Sequence, residues 1–104
     1  MNAQQEKLRD LVLELLEAMK RGGDRQTDFV LKNLPGIENG SFFDLPFGIH
    51  TANLGWLNGA YFGRGEGANE LLDQGFLRED FPMEFHRELS SYSHSQGEWK
   101  NPYQ

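Results

Sequence analysis

The sequence predicts a small, mostly helical single-domain fold with an irregular glycine- and aromatic-rich middle. Three observations lead there. An apolar stripe of helical period runs over residues 8–19, and a second, aromatic stripe runs over residues 81–92. The chain also holds only two Val, two Ile and two Thr among 104 residues, too few of the β-branched residues that strands favour. An α+β fold is the alternative, because the middle has room for a short β-hairpin. Residues 1–92 read as one globular domain and residues 93–104 as a carboxy-terminal tail. A chain of this length can bury about two thirds of its unfolded surface, enough for one modest core.

In the first segment, Leu8, Leu11, Val12, Leu15, Leu16 and Met19 repeat at helical spacing, with Glu6, Lys7, Asp10, Glu14, Glu17 and Arg21 on the other faces. Gly22 and Gly23 supply the left-handed stop. Core packing is the leading reading of this stripe. Leu13 widens it, which makes Leu8, Leu11, Leu15 and Met19 candidates for a homo-oligomer interface. Acids interrupt the leucines, so the segment reads as neither a leader peptide nor a membrane span. Asp24 caps a second, short helix that carries Phe29, Val30, Leu31 and Leu34 and ends at Pro35-Gly36. Residues 34–48 read as a loop pinned by Phe42, Phe43 and Phe47.

Residues 55–67, GWLNGAYFGRGEG, place a glycine at every fourth position. A phosphate-binding loop is disfavoured, because the lysine followed by Ser or Thr is missing and Glu66 and Glu70 would face the phosphate. A hairpin turning at Asn58-Gly59, or an irregular aromatic loop, is the leading alternative. A helix from about Thr51 is the other, its glycines letting a neighbouring backbone approach closely. Farther on, ANELLDQG reads as a short helix closed by Gly75. EDFPMEFHRELSSY reads as a longer one, with Pro82 in its first turn and Phe81, Phe85, Leu89 and Tyr92 on one face.

Chemistry is sparsely signalled. The absence of cysteine removes disulfides, thiolate nucleophiles and cysteine-ligated zinc, and makes a reducing cytoplasm the simplest location. His50, His86 and His94 lack metal-ligand spacing, and the serines at 90, 91, 93 and 95 define no triad. No catalytic residue, cofactor or metal site is expected.

Charge is the more informative signal. The net charge is −6, and residues 66–88 hold seven acids (Glu66, Glu70, Asp73, Glu79, Asp80, Glu84, Glu88) against two bases, Arg78 and Arg87. Such a field repels nucleic acid and attracts basic surfaces. The expected function is a non-enzymatic inhibitor or adaptor that docks on a basic protein surface, with these acids as a rim around Leu71, Leu72, Phe76, Leu77 and Phe81. Trp99 and Tyr103 in the tail are further anchor candidates. In size and charge alone the profile is similar to anti-CRISPR and immunity proteins. A homo-oligomeric assembly protein is the second expectation.

Overall fold

A computed structural model describes residues 1–64 and 67–95. Helix α1 spans Ala3–Gly22. Its start is fixed by a reciprocal pair: the Asn2 side chain accepts from the Gln5 amide at 2.8 Å, and the Gln5 side chain accepts from the Asn2 amide at 3.0 Å. Its end is fixed by Gly23 at φ 65°, where the Asp24 amide turns back to the Met19 carbonyl at 2.9 Å. Helix α2 spans Thr27–Asn33. Its N-cap is Gln26, without a side-chain capping bond, and not Asp24 as expected; Asp24 shapes the preceding turn, accepting from the Gln26 amide through its side chain and from the Thr27 hydroxyl through its carbonyl, each at 2.7 Å.

The aromatic loop then tightens into a 3₁₀ turn, Ser41–Asp44, which buries Phe42 and Phe43. Helix α3 spans Phe47–Trp56, starting directly after Pro46 and thus earlier than its weak periodicity indicates. It continues without a break into a π-helical segment, Leu57–Gly63, marked by a hydrogen bond that the Arg64 amide donates five residues back to the Gly59 carbonyl at 3.1 Å. Asn58 and Gly59 lie inside that segment, so the stretch takes the helical alternative, and no strand occurs among the described residues. Helix α4 spans Ala68–Asp73, closed by Gly75 at φ 77°, and α5 spans Phe81–Ser95.

Helix α5 is the centre of the fold. One side packs antiparallel on α1: Gln4 meets Ser91 near one end, and Glu14 meets Arg78 at the other. The opposite side receives α3 and the π-helical segment, where Phe62 contacts Phe81 and Phe85 with ring centroids 5.6 Å apart in each case. The aromatic stripe read from the sequence is the keel between them, with Phe81, Phe85 and Tyr92 fully buried and Leu89 nearly so. Fully burying such side chains contributes about 1.5–3 kcal/mol each.

The four-residue glycine spacing is not a packing face. A Cβ placed on Gly55 or Gly59 would meet nothing within 4 Å, so no neighbouring backbone exploits either one. Gly67 differs, since a Cβ there would fall 2.2 Å from the Tyr61 ring. The π-helical turn aims that ring inward, where it is fully buried and its hydroxyl donates to Asp24. One wide turn thereby ties α3 to the α1–α2 junction.

Candidate interaction surface

The acidic residues divide into a neutralised group and an open group. Arg78, in the turn before α5, donates from Nε and Nη2 to the two Glu14 carboxylate oxygens at 2.7 and 3.1 Å, from Nη1 to Asp80 at 3.0 Å, and also to Glu84. Its guanidinium lies 5.3 Å from the Phe81 ring centroid. Lys7 adds an ion pair to Glu84 at 3.2 Å. Donating hydrogen bonds to Glu14 and Glu84 pushes the Arg78 pKa up, and accepting them from Arg78 and Lys7 holds the Glu84 carboxyl below its usual value. Asp80 and Glu84, expected as docking acids, thus have internal cations beside them.

Glu70, Asp73 and Glu79 are exposed, and no ion pair reaches them among the described residues. Glu88 is half-buried and also has no ion pair there. Arg78 is committed to three carboxylates, so its charge is already offset, and Arg87 is the other base of the segment. Glu66, Trp99 and Tyr103 lie outside the described residues.

The apolar anchors expected within this rim are not on the surface. Leu71, Leu77 and Phe81 are buried in the core, and Leu72 and Phe76 are half-buried against it. Leu71 and Leu72 lie on α4, Phe76 and Leu77 in the turn after it, and Phe81 opens α5. In the same segment the exposed apolar side chain is Met83, at 76%. It borders an open depression shared with Phe62, Pro82 and His86, where the Asn58 amide nitrogen sits 2.9 Å from His86 Nδ1.

The oligomer candidates are likewise internal. Leu8, Leu15 and Met19 are fully buried and Leu11 nearly so, packed within the chain's own core. Their hydrophobic area is spent within one copy of the fold.

The histidines go to separate places. His50 is buried among Phe42, Phe43, Phe47 and Tyr92, with Nδ1 2.8 Å from the Tyr92 hydroxyl, which also accepts from Gln5 at 3.2 Å. His86 and His94 are exposed on α5. Among the described residues no three His, Asp or Glu side chains come together as a metal site. At the other polar centre, burial first and the Asp24 hydrogen bond second push the Tyr61 phenol well above its usual pKa, so Tyr61 stays a neutral donor to Asp24.

One feature of the surface is absent from the sequence reading. Phe29, read only as an apolar residue of the second helix, and Trp56, read only as part of the glycine stretch, face each other across α2 and α3 with ring centroids 5.0 Å apart and planes at 58°. Phe29 is 50% exposed. The rings wall a groove of about 220 Å³ that Val30, Asn33, Ala52 and Asn53 also line. The signal available in the sequence was the position of Phe29 one step off the Val30–Leu34 face, which a seven-residue helix is too short to establish.

No known protein family, curated protein or solved structure matches the chain. Among the described residues, no helix is long and apolar enough to cross a membrane.

Proposed function

We propose that the chain is a non-enzymatic protein-binding module, an inhibitor or adaptor that docks on a basic protein surface through its acidic carboxy-terminal half. The observation that carries this reading is the division of the acids: Arg78 is committed to Glu14, Asp80 and Glu84, while Glu70, Asp73 and Glu79 are exposed and have no ion pair among the described residues. Carboxylates in that state give up no internal pairing when they meet a partner's Lys or Arg, and they speed encounter through the long-range field. A site that nucleic acid would otherwise occupy is the kind of basic surface such a field suits.

The test is affinity capture from a bacterial lysate at low and moderate salt, comparing the wild-type chain with the Glu70→Lys, Asp73→Lys, Glu79→Lys triple variant. The expected result is a stoichiometric basic protein on the wild type, weakened by salt and lost from the variant. Equal capture by both chains would refute the acidic docking surface.

A further inference from the structure

We propose that the depression beside the start of α5 seats a protein segment that presents an apolar side chain with a carboxylate about one helical turn away. This surface is separate from the acidic one described above and does not depend on it. The two bases of the acid-rich segment differ: Arg78 is committed to three carboxylates, whereas Arg87 is exposed and has no ion pair among the described residues. Glu84, three positions before Arg87, is already engaged, since Arg78 donates to one of its oxygens and Lys7 lies 3.2 Å from the other. The charge of Arg87 is therefore open to a group from outside.

Arg87 lines the depression, of about 570 Å³, together with Phe62, Pro82, Met83 and His86. Met83 is 76% exposed, and Phe62 is half-buried against Phe81 and Phe85. The Asn58 side-chain amide donates to His86 Nδ1 at 2.9 Å, which braces α5 against the π-helical segment beneath the surface. Among the described residues that line the depression none carries a carboxylate, so its charge is positive in a chain whose net charge is −6. Apolar area and a cation thus stand side by side. Met83 and Arg87 are four positions apart, about 6 Å along the helix, which sets the spacing a partner has to match. The unbranched thioether adapts to an aliphatic or aromatic side chain, and a guanidinium, with donors and no acceptor, complements a carboxylate through paired hydrogen bonds. The net charge opposes nucleic-acid phosphates and densely acidic partners alike, so the segment that fits carries its carboxylate singly beside an apolar anchor.

The experiment titrates the full chain with an alanine-based helical peptide that carries one Leu and one Glu a helical turn apart, and with the same peptide holding Gln or Lys in place of the Glu. The methionine methyl groups are followed by NMR, with Met83 as the reporter and the fully buried Met19 as the internal control. The expected result is a Met83 shift that saturates with the Glu peptide at about fivefold lower concentration than with the Gln peptide, and at higher concentration still with the Lys peptide. Arg87→Gln removes an exposed charge and is expected to make the Glu and Gln peptides bind alike, with the Met19 signal unmoved. Equal binding of the Glu and Gln peptides to the wild type, or a Glu preference that survives in Arg87→Gln, would overturn the proposal. A Met83 shift that follows protein concentration without peptide would overturn it in favour of a second copy of the chain. No Met83 shift with any peptide would also overturn it. None of these outcomes bears on whether Glu70, Asp73 and Glu79 bind a basic surface, which the capture experiment decides separately.

Discussion

The α1–α5 pair and the α3–π segment are both helical, yet they are helical for different reasons. In α1 and α5 the apolar residues recur at helical spacing, so each helix presents a stripe and the two stripes bury each other. In residues 47–63 glycine stands at 48, 55, 59 and 63, and each interior glycine costs a helix about 1 kcal/mol relative to alanine. That segment is held by what it touches: Leu54, Leu57, Ala60 and Tyr61 are buried, and Tyr61 is tied to Asp24. Local preference builds the first region, and tertiary packing imposes the second.

The largest effect is expected at the keel. Phe85→Ala removes a fully buried ring that touches both Phe62 and Phe81, and it should cost about 3–5 kcal/mol, read as a lower urea midpoint. A loss below about 1 kcal/mol would mean that α5 is not the shared centre.

Next come two changes at the π-helical turn, about 1–3 kcal/mol each. Tyr61→Phe deprives Asp24 of its donor. Gly67→Ala drives a methyl into the Tyr61 ring. The Tyr61 effect carries a pH signature. Its folded pKa is raised, so the unfolded chain loses that proton first, and stability is full below about pH 10 and falls above it. Urea midpoints at pH 8 and pH 10.5 should converge for wild type and Tyr61→Phe as pH rises.

A smaller effect of opposite sign separates the two regions most clearly. Gly55→Ala, where a Cβ meets nothing, should raise stability by up to about 1 kcal/mol. A loss there would restore a packing role for the glycine spacing. The smallest effect concerns Glu84. Its folded pKa is lowered, so its contribution is present at neutral pH and fades as pH falls below the ordinary carboxylate value of about 4.3. Exposure limits it to about 0.5 kcal/mol or less, and Glu84→Gln should flatten the acid limb of the stability curve by that amount.

What could be read in the sequence follows the same division. Helices α1, α4 and α5 are legible because stripe and stop agree, with Leu8 through Met19 before Gly23 and Pro82 in the first turn of α5; α2 is legible in its extent before Pro35 but not in its cap, which is Gln26 and not Asp24. The start of α3 is illegible because Gly48 and His50 interrupt its pattern, and His50 becomes a core residue only through Tyr92 and three phenylalanines. The candidate surface is legible in charge but not in detail. Composition places the acids in residues 66–88, whereas the pairing of Arg78 with Glu14 spans 64 positions and depends on the antiparallel packing of α1 and α5. The same packing hides Leu71, Leu77 and Phe81, and exposed apolar side chains such as Met83 and Phe29 show only in three dimensions.

The most direct test of the central claim is the salt dependence of affinity for the captured partner, measured for the wild type and for the Glu70→Lys, Asp73→Lys, Glu79→Lys variant. The account predicts a wild-type affinity that falls steeply with salt and a variant whose binding is weaker and nearly independent of salt. Parallel salt curves of equal affinity would contradict it, because the open carboxylates would then contribute nothing to recognition.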